Sequence, residues 1–126
     1  NKPSLEEYEE LLMYFPECFI SLHGWLRIMP PEICEKFKIY NGHPGLITRY
    51  PELKGKDPQI KAFNAKHYVM GCVIHNVTAG VDEGEVLSET FFNAWNLTEE
   101  KMWDTMRDRS LYLWVQFLEK TFGISK

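Results

Sequence analysis

A chain of 126 residues with 44% hydrophobic, 25% charged and 14% aromatic side chains has the composition of one ordinary globular domain, large enough to bury a core. Its 14 Lys and Arg against 18 Asp and Glu leave a net charge of −4 with no basic cluster, which argues against nucleic-acid binding as the main task. No apolar run approaches ~18 residues and no charged-then-apolar leader stands at the start, so neither a membrane span nor a signal peptide is expected.

Residues 4 to 14 read as a helix. Ser4 with Glu7 three positions on makes a capping box, Leu5, Tyr8, Leu12 and Phe15 form one apolar stripe, and Pro16 ends the run. Residues 18 to 22 (CFISL) are a short, almost continuously apolar strand of the kind covered on both faces, and Gly24 marks the turn after it. Pro31 opens a second helix that runs to Phe37. A strand over residues 38 to 43 follows and must stop at Pro44, which cannot donate to a ladder.

That strand carries the first chemical signal. Asn41 and His43 are two apart and share a face if the strand persists through His43. A neutral amide beside an imidazole suits a site where a carbonyl oxygen gains negative charge: Asn donates, and His donates or shuttles a proton. The alternative is a turn in which Asn41 bonds local backbone and His43 is a half-buried surface residue.

The segment from 45 to 58 is a long ordered loop in which Arg49, Lys54 and Lys56 are candidate anion ligands or simply solvated cations. Asp57 caps the next helix, with Pro58 at its first position. Residues 67 to 77, rich in β-branched and aromatic side chains, give the longest strand signal, and 85 to 91 the returning strand. Asp82 then falls on the connection between them. Asn96 or Thr98 caps a last helix that runs to Phe122 and stops at Gly123. Its stripe of Met102, Met106, Leu113 and Phe117, widened by Trp103, Trp114 and Leu118, is core or a partner surface. Strands alternating with helices imply an α/β fold, a mostly parallel sheet with flanking helices to which the later strand pair, joined by a short loop, can add antiparallel strands, and a ligand site beyond the carboxyl ends of the strands. Cys18, Cys34 and Cys72 lie in apolar surroundings without Cys-x-x-Cys pairing. They read as reduced thiols of a cytoplasmic protein, and no zinc-like ligand spacing points to a metal.

Three blocks in order, Asn41-x-His43-Pro44-x-Leu46, Gly71-Cys72-x-x-His75 and Val81-Asp82-x-Gly84, resemble the signature of the folate-dependent formyltransferases. The likeness is greatest to the glycinamide ribonucleotide transformylases and extends to methionyl-tRNA formyltransferase and formyltetrahydrofolate hydrolase. Residues 24 to 29 (GWLRIM) match the family's Gly-Phe-Met-Arg-Ile-Leu, and Lys54-Gly55 follows the His loop. The resemblance implies transfer of a formyl group from 10-formyltetrahydrofolate to a small-molecule amine, for example on a nucleotide or sugar nucleotide. Asn41, His43 and Asp82 would be the catalytic residues. It implies a folate slot formed by Leu26, Arg27, Ile28 and Met29 together with Val77, Thr78, Ala79 and Val81; apolar core is the other reading of that first run. Asp82 would favour the protonated His43 ring and relay the proton of the attacking amine.

The chain also departs from the family. Gly42 replaces a larger residue, Gly45 stands where Ser is common, and the loop from 48 to 55 is longer. The Gly-rich phosphate turn of the family's first half has no counterpart. Residues 1 to 126 are therefore expected to be a formyltransferase-like catalytic domain, the C-terminal portion of the usual fold, with the upstream nucleotide-binding half absent. The acceptor site would then be altered, lost, or supplied by a second copy or a complementary chain. Alternatives are a formyltetrahydrofolate hydrolase, in which water replaces the amine, and a non-catalytic folate-binding or interaction module.

Overall fold

The structure, a computed structural model, describes residues 4–14, 19–23, 29–78 and 83–123. In chain order the elements are α1 (Leu5–Leu12), β1 (Phe19–His23), α2 (Pro31–Lys36), β2 (Lys38–His43), a 3-10 turn (Pro51–Leu53), α3 (Pro58–Asn64), β3 (Val69–Asn76), β4 (Val86–Asn93) and α4 (Glu99–Phe122).

The helix ends follow their local chemistry. In α1 the Ser4 hydroxyl accepts from the Glu7 amide at 3.2 Å while the Glu7 carboxylate accepts from the Ser4 amide at 2.9 Å, which completes the capping box. Thr98, rather than Asn96, caps α4 by accepting from the Lys101 amide, and Gly123 ends it with φ 66, a conformation glycine adopts without penalty. Asp57 holds the position before α3 but does not cap it. Its backbone is left-handed (φ 56, ψ 47), its side chain makes no capping bond, and its carbonyl accepts from the Lys61 amide instead.

The four strands lie in the order β1-β2-β3-β4. The β1–β2 pair is parallel, as a crossover through α2 requires, whereas β2–β3 and β3–β4 are antiparallel. The α/β architecture is the one expected, with less parallel pairing than a strict strand–helix alternation would give. The connection from Pro44 to Tyr68 makes no crossover back along the sheet, so β3 sets out from the end where β2 stops and runs antiparallel to it.

Two apolar clusters hold the layers together. On one side of the sheet Tyr40, Met70, Cys72, Ile74 and Phe92 pack against Met102, Met106, Leu113, Trp114 and Phe117 of α4, so the Met/aromatic stripe of the last helix is core. Aromatic edges lock this layer: Tyr40 meets Phe117 at 5.1 Å between centroids and Trp114 meets Phe117 at 5.9 Å, both T-shaped. A smaller cluster of Met29, Ile33 and Ile39 gathers Leu5, Tyr8 and Leu12 of α1 and places α1 and α2 beside β2. Among the described residues no helix is long and apolar enough to cross a membrane.

Candidate active site

The carboxyl end of β2 gathers the polar residues. Asn41 and His43 are 5% and 4% exposed, and the strand runs through both, so they share one face and the turn reading does not apply. In register on β3, Asn41 lies opposite His75 and His43 opposite Val73. Pro44 then releases the chain into the loop, which turns back over the imidazole.

His43 is oriented by that loop. Its Nε2–H donates to the Leu53 carbonyl at 2.8 Å, and Leu53, 2% exposed, anchors the 3-10 turn that presents this carbonyl. Gly45 makes the close passage possible. A Cβ there would stand 2.8 Å from the Pro58 Cβ, closer than real Cβ atoms approach, and 3.1 Å from His43 Nε2, a tight contact. The absence of a larger residue after Pro44 therefore has a steric reason. Tyr50 stacks on His67, with 3.8 Å between centroids and planes 20° apart, tying the same loop to the approach of β3.

Asn41 is held from the neighbouring strand. Its Nδ2 lies 3.4 Å from His75 Nε2, and His75 Nδ1 lies 2.8 Å from the Asn76 carbonyl. Asn41 Oδ1 is buried without a hydrogen-bond partner among the described residues, an arrangement that costs about 1–3 kcal/mol and calls for an explanation. A buried amide with an uncommitted acceptor beside an oriented imidazole can engage a polar group of a bound molecule at both ends. A cavity of about 870 Å³ against α4, bordered by Tyr40, Leu87, Gln116, Phe117 and Lys120, has neither Asn41 nor His43 in its wall. The chemistry and that open space are on different parts of the molecule.

The remaining site expectations are distributed as follows. Met29 is buried in the smaller cluster, where its carbonyl faces the Cys34 thiol at 3.9 Å. Val77 is partly buried against the same cluster and donates its N–H to the Ile39 carbonyl at 2.9 Å, and Thr78 is exposed. Asp82, Leu26, Arg27, Ile28, Ala79 and Val81 lie outside the described residues. The connection that contains Asp82 is closed at its base, where the Asn76 N–H donates to the Glu85 carbonyl at 2.9 Å. A side chain on Gly84 would collide with the Asn76 carbonyl. Arg49 is exposed with its guanidinium 5.6 Å from the Tyr50 ring, and Lys54 and Lys56 are exposed as well.

Burial pushes the Cys72 thiol up from its usual value of 9.0, against smaller opposing effects of the Ser110 hydrogen bond and Arg109. Burial likewise raises Cys34. Neither is poised as a nucleophile. The contacts that sequence reasoning missed are backbone ones, the Leu53 and Asn76 carbonyls. His75 had a signal in the Gly71-Cys72-x-x-His75 block, but nothing in the sequence announced its contact with Asn41.

Comparison with known proteins bears on the family and the fold. The sequence model of the family described as formyl transferase matches residues 3–117. The chain is 32% identical over 91 residues to the trifunctional purine biosynthetic protein adenosine-3 of Drosophila pseudoobscura pseudoobscura, covering 68% of this chain and 6% of that protein. To the protein of the same name from Bos taurus it is 31% identical over 81 residues, covering 63% and 8%. Its fold superimposes on the crystal structure of phosphoribosylglycinamide formyltransferase from Bacillus halodurans with a TM-score of 0.82 at 25% identity, over 99% of this chain and 66% of that one. The chain thus spans under a tenth of the curated relatives and about two thirds of the solved one. On the family match, this chain belongs to the formyl transferase family.

Proposed function

We propose that this chain carries formyl-transfer chemistry: a formyl group passes from 10-formyltetrahydrofolate to an amine, with Asn41, His43 and Asp82 as the catalytic residues. The observation that carries the reading is the buried pair at the end of β2, in which the Asn41 amide keeps an unpartnered oxygen and the neighbouring imidazole is oriented by a carbonyl. That orphaned polar group fits a bound reactant that hydrogen-bonds there.

The folate supplies the activated formyl group, and Leu26, Arg27, Ile28 and Met29 with Val77, Thr78, Ala79 and Val81 are the residues proposed to hold it. Asn41 donates an N–H toward the formyl oxygen as charge builds on it, a preorganised contact whose removal typically costs ~3 kcal/mol, about two orders of magnitude in rate. His43, with its ring plane set by Leu53, moves a proton at the reacting centre, and Asp82 supports its charged form and relays the proton of the amine. The likeness to a purine biosynthetic protein and to a phosphoribosylglycinamide formyltransferase favours a purine-precursor amine as acceptor.

The test is formylation by the purified chain, with 10-formyltetrahydrofolate and a panel of small amines followed by mass spectrometry. Asn41→Ala, His43→Ala and Asp82→Asn should each lower kcat by about 100-fold or more while circular dichroism stays native. Wild-type turnover in all three would overturn the mechanism. Formate release without any amine would move the reading to hydrolysis, and stabilisation by folate with no turnover would move it to a binding module.

A further inference from the structure

Asn41 can serve the reaction only if its amide points the right way round, because its two ends do opposite things: the nitrogen donates and the oxygen accepts. We infer that His75 is a positioning residue that fixes this orientation. It turns Nδ2 toward β3 and leaves Oδ1 to accept an N–H of the attacking amine. The inference rests on the formyl-transfer reading and adds a second role for Asn41 and a first one for His75.

A chain of hydrogen bonds holds the amide. The Asn76 carbonyl can only accept, so His75 Nδ1, at 2.8 Å from it, carries a proton. In a neutral imidazole this leaves Nε2 with a lone pair, and the group facing that lone pair at 3.4 Å is Asn41 Nδ2, which donates. Reversing the amide would set Oδ1 against Nε2, acceptor against acceptor, in a place where Asn41 and His75 are 5% and 2% exposed and water gives little relief. A separation of 3.4 Å is long for a hydrogen bond. The orientation is therefore held at least as much by repulsion in the reversed state as by attraction in the observed one.

The consequence appears at the other end of the amide. With one N–H committed to His75, Asn41 keeps a second N–H for the formyl oxygen. Its Oδ1, buried and without a partner among the described residues, is left as the acceptor for the nucleophile. A freely turning amide would offer the wrong end to each reactant for part of the time. His75 touches neither reactant in this account; it acts through Asn41.

The deciding measurement is the tautomer of His75 in the wild-type chain, read by NMR from its two ring nitrogens after labelling with 15N-histidine. Protonated Nδ1 with unprotonated Nε2 is expected; a proton on Nε2, alone or with one on Nδ1, overturns the inference. Kinetics provide the second arm. His75→Gln returns an acceptor oxygen near the Nε2 position and should keep kcat within about threefold of wild type. His75→Leu keeps bulk without an acceptor and should lower kcat about tenfold with the folate KM unchanged. Equal kcat for His75→Leu and wild type overturns the inference. A wild-type chain that transfers no formyl group overturns the reading of function, and the tautomer still decides how the amide is held.

Discussion

The two sides of β2 and β3 are built for different purposes from one stretch of backbone. Toward α4, Tyr40, Cys72 and Ile74 enter a packed aromatic and methionine layer. Away from it, Asn41, His43 and His75 bury polar groups that are bonded to carbonyls or to one another, with one acceptor left over. The first side gains stability from apolar area, roughly 25 cal/mol per Å² removed from water. The second gives some of that up to keep donors and acceptors in fixed places. Because a strand alternates, neither side can shift by one residue without exchanging the two sets, and the packed side thereby holds the polar side in register.

Substitutions can separate the two. The largest expected effect lies on the packed side: Phe117→Ala removes the ring that meets both Tyr40 and Trp114 and should cost about 3–5 kcal/mol in denaturant unfolding. In the fraction that remains folded, the His75 tautomer should be unchanged; a simultaneous change would show that the sides are not separable. Gly42 is a sharper probe because it sits between Asn41 and His43 yet faces the packed side. A Cβ there would stand 2.7 Å from the Trp114 indole nitrogen, so Gly42→Val should cost about 1–3 kcal/mol and shift tryptophan fluorescence. The smallest effect concerns Cys72. Its folded thiol is raised above 9.0 by burial, so stability is fully present below pH 9.0 and is lost as pH rises above that, where the unfolded chain releases the proton and the folded one retains it. Unfolding curves from pH 8 to 10 should show this decline, and Cys72→Ala should flatten it.

Much of this was legible in the residues. Ser4 with Glu7, Pro31, Thr98 and Gly123 mark helix ends by a local mechanism that needs no tertiary context, and period two put Asn41 and His43 on one face. The direction in which β3 returns beside β2 was not legible, because it is set by the course of the long connection between them, and with it went the pairing of Asn41 with His75. The Leu53 carbonyl that orients His43 is a backbone group and leaves no mark in side-chain identity. Asp57 looked like a cap because its residue type favours that role. The left-handed backbone there, set by the course of the preceding loop, aims the side chain elsewhere.

Gly84 gives the Asn76 carbonyl room, and that same oxygen accepts the hydrogen bond of His75 Nδ1–H. A single methyl group added at this glycine would push on the oxygen, disturb the imidazole's choice of protonated nitrogen, and so reach the amide one strand away. Tolerance to change at this turn is thus tied, through one carbonyl and one imidazole, to a buried amide on another strand.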